Sequence, residues 1–542
     1  MKISKVSQVM QALITERIEF SKQFATRGTV LAFCAIVVGV ASVRADIKLP
    51  AVIGSNMIIQ RDVPMKLWGW ADANEQVTVT IEGENVGSAV ADVKGNWSVM
   101  LPARAAGAVP DMVISGKNSI ELKNLLAGDV WICSGQSNMA MTLRVTPRIR
   151  FGGVANADAE VAAAKYPNIR LFTVTEAQRG LKPVSNCVGE WKVCSPEAIE
   201  DFSATAYFFG RELHQKTNVP VGLVVSAVGG SSAELWTPRT VLDDPSAAAA
   251  KQGYNDEYPG LVSMYDQQYA EWQKVSEDAK AKGATVPREP RKPQTPQYFY
   301  AQWGAFYNSL IYPLTPMRIK GAIWYQGEAN AGRAGAYVPL LTNMIGSWRQ
   351  AWNQGNFPFL IVQLANCRIP SIPVDGTWAE LREAQTTVAT TVPGCGMATA
   401  YDTGGPNGSL HPINKQTIGQ RLALVALKQV YRQSIEADGP SVDKVNFKKD
   451  CAVVKYKNFG GGLVAKDGVV KGFTIAGNDG RFVAAEATIE GNSVVVKSAE
   501  VSSPKAVRFG WADNPAITLY SKEGLPALPF RTDTPSPSSP SK

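Results

Sequence analysis

From Gly128 to about Tyr431, short apolar runs alternate with segments of helical periodicity, and this alternation constrains the fold more than any other feature of the chain. The runs "DVWICSG", "NIRLFTV", "VGLVV", "GAIWY" and "FPFLIVQLA" carry little polar interruption, as in strands covered on both faces. Between and after them lie amphipathic stretches such as "SATAYFFGRELHQKT" and "NKQTIGQRLALVALKQVY". Buried strands alternating with helices predict an α/β fold, a parallel sheet with helices on both faces. In open sheets of this kind the reactive groups collect on loops beyond the carboxyl ends of the strands.

The texture differs on either side. Residues 46–127 hold short alternating runs, "MKLWGWA", "QVTVTIEG" and "NWSVMLP", broken by turn formers, and predict a β-sandwich-like domain. Residues 128–438 form the α/β unit, interrupted at about 240–297 by a polar insert with a helical centre and a proline-rich exit, expected to pass over one edge of the site. Residues 439–531 return to β texture, and 532–542, "TDTPSPSSPSK" from Thr532, have the composition of a disordered tail. Residues 1–45 read as a signal peptide, with basic residues, the apolar "TVLAFCAIVVGVAS" and the small-residue end "VRA". This predicts export, to the periplasm or the extracellular space, and no membrane span in the mature chain.

The formal charge of +8 shrinks without the leader, whose six Lys/Arg and two Asp/Glu leave 49 against 45. A net of +4 with no basic run predicts no nucleic-acid partner. Six cysteines follow the leader. Cys187 and Cys194 are near enough in sequence for a local disulfide, and Cys133, inside an apolar run, reads as a small buried hydrophobe.

The run ending at Cys133 gives way to "SGQSN", which presents Ser137 just beyond a strand. A serine hydroxyl needs a base, and histidine is the usual one. The chain has two. His214 sits near the end of a helical segment, where the helix dipole suits it. His411 lies in "YDTGGPNGSLHPINKQ", a glycine- and asparagine-rich loop able to present a ring to a cleft. Acyl transfer also needs donors aimed at the developing oxyanion. "SAVGGSSAELW" offers Gly229 and Gly230, and "QGEAN" offers the Gln326 amide.

Together "SGQSNM", "AVGGSSAELW", "IWYQGEAN" and "HPINKQTIGQRLAL" resemble the SGNH-hydrolase superfamily, specifically the sialate O-acetylesterases and their acetylxylan-esterase relatives. "MIIQRDVPMKLWGWA" and "RFGWADNPAITLYSKEGLPALPFRT" resemble the flanking β portions of that family, so the similarity spans Lys48 to Thr532. The resemblance implies an SGNH-type, flavodoxin-like parallel sheet between β-sandwich-like domains. It implies Ser137 as nucleophile and His411 as base, with an oxyanion hole drawn from the Ser137 and Gly230 backbone N–H groups and the Gln326 side chain. Gln136, Asn138, Gly229, Glu328 and Asn330 become supporting residues, and no metal or organic cofactor is implied.

The family typically has Asp two residues before the histidine, where this chain has Ser409. Two readings stay open: Asp402, the nearest carboxylate in the loop, orients the ring, or Ser137 and His411 act as a dyad. The implied function is an exported serine esterase that removes O-acetyl groups from sugars, foremost O-acetylated sialic acids, whose carboxylate would suit Arg144, Arg148 or Arg150. An acetylxylan esterase and a catalytically silent glycan-binding protein are the alternatives. Oligomeric state is not legible from the residues.

Overall fold

The structure is a computed structural model describing residues 46–147, 149–175, 180–368 and 376–533. The expected signal peptide, Arg148 and residues 534–542 of the expected tail lie outside them.

Seven strands form the body of the central sheet: β1 (Leu125–Gly135), β2 (Tyr166–Thr173), β3 (Trp191–Cys194), β4 (Val221–Ala227), β5 (Gly321–Tyr325), β6 (Phe359–Gln363) and β7 (Cys395–Thr399). Their order is β3-β2-β4-β1-β5-β6-β7. All neighbours run parallel except β3, which is antiparallel to β2. Every residue of β1, β5 and β6 is buried, which is why these runs carry no polar alternation. The helices α1 (Ser137–Ala140), α2 (Ala204–Thr217), α3 (Ala248–Ala281), α4 (Ala334–Trp352), α5 (Thr377–Thr391) and α6 (Lys415–Gln429) complete the α/β unit. Within it α2 packs beside α6 and α4 beside α5, covering the sheet. Among the described residues no helix is long and apolar enough to cross a membrane.

Register decides where the loops emerge. Gly135 at the end of β1 stands opposite Ala227 of β4 on one side and Tyr325 of β5 on the other. The three following loops therefore leave the sheet at one level. Gly135 has φ +139°, and a Cβ there would fall 2.1 Å from the Tyr325 carbonyl oxygen. Only glycine permits this approach.

β1 is longer than one domain needs. Its first residues pair with Ile58–Gln60 and Gly107–Val109, so the division expected between residues 127 and 128 falls inside a continuous strand. The N-terminal β unit holds a four-stranded antiparallel sheet and a Met65–Trp70/Asn96–Leu101 ladder, and its buried residues join the core of the α/β unit. The C-terminal β region has a core of its own, with Val454, Ile475, Val494 and Phe509 fully buried. Thr532 and Asp533, placed in the tail by composition, are fixed to Val507 and Arg508.

The polar insert is dominated by α3, a helix of 34 residues with Pro259 inside it. The local disulfide does not form: Cys187 and Cys194 are both free thiols. Cys194 is instead buried in β3, opposite Tyr166 of β2. His214 closes the last turn of α2, its Nδ1 2.8 Å from the Val219 carbonyl.

Candidate active site

Ser137 is the first residue of α1, immediately beyond the Gly135 crossing. Its Oγ lies 2.8 Å from His411 Nε2, across a separation of 274 residues. His411 comes from the loop between β7 and α6, and its ring stacks on Phe151 with centroids 4.3 Å apart and planes 21° from parallel. Burial, and then the charge of Lys415, pull the imidazole from its ordinary 6.5 down to about 4. The ring is therefore a neutral acceptor at pH 7, the state required to take a proton from serine.

Asn138 joins the loops behind this pair. Its Nδ2 donates to Glu328 Oε1 at 2.6 Å and to the Leu410 carbonyl at 2.9 Å, and its Oδ1 accepts from Lys415 Nζ at 2.6 Å. Gln136 Oε1 accepts from the N–H groups of Gly327 and Ala329 at 3.4 and 3.2 Å. The residues flanking Ser137 thus hold the third loop. Desolvation keeps the Glu328 carboxyl above its usual range, and its Oε2 has no partner among the described residues.

Gly229 lies against the nucleophile: a Cβ on it would sit 3.6 Å from Ser137 Cβ. Gly230 follows with φ +71° and stands open to solvent. Among the described residues its N–H has no backbone or side-chain acceptor, and the first N–H of a helix such as α1 has no intrahelical one.

Gln326 does not join these donors, contrary to the expectation from sequence. It is fully buried, its Nε2 donates to the Ser231 carbonyl at 3.2 Å and to Asn330 Oδ1 at 2.8 Å, and its Oε1 accepts from the Tyr337 hydroxyl at 2.8 Å. Both amide hydrogens are spent. Asn330 continues the chain, accepting from the Ala233 N–H at 3.0 Å and donating to Glu234 at 3.1 Å. Glu234 in turn pairs with buried Arg333, which also binds Glu257. Gln326 and Asn330 therefore shape the glycine loop from behind.

Asp402 does not orient His411. Its two oxygens accept from Arg421 at 2.6 and 2.9 Å, and one also accepts from the Tyr520 hydroxyl at 3.1 Å. The fully committed carboxylate serves as an anchor between α6 and the C-terminal β region. Ser409, at the position usual for the acid, donates to the His411 carbonyl at 3.1 Å. Among the described residues no carboxylate bonds the His411 ring.

A cavity of 660 Å³ opens at Gly229 and Gly230. Leu235, Tyr254, Phe299 and Trp378 give it an apolar wall, and α3 with the proline-rich exit contributes Leu261, Met264 and Arg291. The insert thus borders the cavity. An aromatic and aliphatic wall with a few polar groups suits a compact organic ligand.

The matching family model is described as "Carbohydrate esterase, sialic acid-specific acetylesterase" and covers residues 127–275 and 296–428. The chain belongs to this esterase family. As a member it is a carboxylic ester hydrolase. It is 30% identical to the rat protein named sialate O-acetylesterase over 72% of this chain and 75% of that one, and 26% identical to the human protein of that name over 72% and 73%. A crystal structure of a carbohydrate acetylesterase from Xanthomonas citri matches with a TM-score of 0.74 and 33% identity, over 90% of this chain and all of that one.

Sequence reasoning missed two residues of the candidate site. Phe151 carries no motif, and only the fold stacks its loop on His411. Lys415 stands in plain view in "HPINKQ" but reads as an ordinary surface lysine, whereas in the esterase it is fully buried. Of the arginines expected for a substrate carboxylate, Arg144 is committed to Asp158 and Glu200 at 2.8 and 3.3 Å. Arg150 is exposed next to Phe151.

Proposed function

We propose that the protein removes O-acetyl groups from sugars through an acyl-serine intermediate. The observation that carries this reading is the 2.8 Å contact between Ser137 Oγ and His411 Nε2, with Ser137 packed against Gly229, a residue of the cavity wall. His411 Nε2 takes the hydroxyl proton as Ser137 Oγ attacks the acetyl carbonyl. The oxyanion is received by the backbone N–H groups of Ser137 and Gly230, fixed in place before the charge appears. Collapse breaks the ester bond, and the sugar oxygen leaves with the proton from the imidazolium. A water then gives a proton to His411 as its oxygen attacks the acyl-serine carbonyl, and collapse breaks the bond to Ser137 Oγ, which takes the proton back from the imidazolium as acetic acid is released.

The family model and the rat and human relatives favour an O-acetylated sialic acid, and Arg150, exposed and adjacent in the chain to Phe151, offers a cation for its carboxylate. The "TVLAFCAIVVGVAS" leader supports export of the mature enzyme. Acetate release from O-acetylated sialic acid and from acetylated xylan, compared at equal acetyl concentration, tests the substrate. Preference for xylan rejects the sialate reading. Loss of roughly 10⁴-fold or more in kcat in Ser137→Ala and in His411→Ala, with the double variant little worse, tests the mechanism. Near wild-type turnover in either single variant rejects it.

A further inference from the structure

Lys415 occupies a position that opposes stability in three ways. It is fully buried, which is rare for a lysine without an ion pair. Among the described residues no carboxylate lies within ion-pair distance of it. It is also the first residue of α6, where the helix dipole disfavours a cation. Helix stability alone would select another residue here.

What it touches supplies the reason. Lys415 Nζ donates to the Pro412 carbonyl at 2.8 Å and to Asn138 Oδ1 at 2.6 Å. Asn138 Nδ2 donates to the Leu410 carbonyl at 2.9 Å. The carbonyls on either side of His411 are thus both held from Asn138, the residue after the nucleophile, one directly and one through the lysine. A triad acid fixes the base by its ring; here the backbone around the base is clamped and Phe151 sets the ring plane.

We propose that Lys415 is a positioning residue of the reaction, tying the His411 backbone to the Ser137 loop through Asn138 and placing a cation beside the imidazole. This rests on the assignment of Ser137 and His411 as nucleophile and base. The titratable groups facing the lysine are Glu328 from the loop after β5, Tyr325 at the end of β5, whose ring centroid is 5.5 Å from Nζ, and His411 itself. Burial pulls Lys415 down to about 7, opposed by Glu328. Both the ammonium and the amine have the two donors that the clamp uses, so the clamp persists while the charge titrates. The charge lowers the imidazole pKa, so its removal must raise it.

The test uses p-nitrophenyl acetate, which makes no demand on sugar recognition. Lys415→Met is expected to lower kcat by about 10²-fold through lost alignment, to leave KM within about threefold, and to shift the acid limb of kcat/KM to higher pH. Asn138→Ala, which cuts the clamp but keeps the cation, is expected to lower kcat comparably with the acid limb unmoved. Unchanged kcat in a folded Lys415→Met, or a kcat loss with an unmoved acid limb, overturns the proposal. If Lys415→Met does not fold, Asn138→Ala decides: lowered kcat with the limb in place supports the clamp, and wild-type kcat or a moved limb overturns it. Ser137→Ala is run alongside. Its retention of activity would overturn the catalytic assignment itself, whereas an inactive Ser137→Ala with an unaffected Lys415→Met removes only the role of the lysine.

Discussion

Arg421 grips Asp402 by both carboxylate oxygens, at 2.6 and 2.9 Å, with the two side chains only 8% and 11% exposed. Removing one partner of a buried pair strands the other charge and costs roughly 3–5 kcal/mol. Asp402→Asn is therefore expected to lower the Tm measurably while keeping kcat within about tenfold of wild type where the protein is folded. A kcat loss beyond roughly 10³-fold with Tm unchanged would make Asp402 an acid of the site after all.

The depressed imidazole has a consequence for pH dependence. The base must be neutral in the free enzyme, so kcat/KM falls as pH drops through the folded pKa of His411, which lies at about 4 instead of 6.5. The acid limb is expected in that low range and is read from initial rates between pH 3 and 8. The same depression affects stability. Below about 6.5 the unfolded chain binds a proton that the folded chain refuses, so stability declines from there towards pH 4. An acid limb near 6.5 contradicts the burial of the ring.

Gly135→Ala would place a Cβ 2.1 Å from the Tyr325 carbonyl oxygen, at a φ of +139° that L side chains rarely adopt. Either β1 and β5 separate or the Ser137 turn shifts. Because near 1 Å of misplacement costs about 10²-fold, kcat is expected to fall at least that far, with a lowered Tm. Wild-type kinetics would show that the crossing tolerates movement.

Asp513 ties the C-terminal β region to the cavity. Its carboxylate accepts from the Gly376 and Trp378 N–H groups at 2.9 and 2.8 Å, at the start of α5, and its carbonyl accepts from Arg382 and from the Cys367 N–H. Asp513→Ala is expected to cost about 1 kcal/mol, as for loss of a helix cap, and to raise KM for the sugar ester more than for p-nitrophenyl acetate, because Trp378 lines the cavity. Equal changes for both substrates would refute this link.

The sequence by itself determined the alternation of buried strands and helices, the loop that presents Ser137 and the preference for His411 over His214. Each is a local matter of apolar run length, glycine placement and helix-end chemistry, and periodicity reports such matters directly. Tertiary structure alone decided which partners the polar side chains took. Asp402 looked free nine residues before His411, but α6 and the C-terminal β region bring Arg421 and Tyr520 to it. Gln326 looked like an oxyanion donor until burial beside Ser231 and Asn330 consumed its hydrogens, and Lys415, which no motif singled out, is buried where the Ser137 and His411 loops meet. A buried polar group must find its bonds within reach, and reach depends on packing between residues as distant in the chain as Asn138 and Lys415, 277 positions apart.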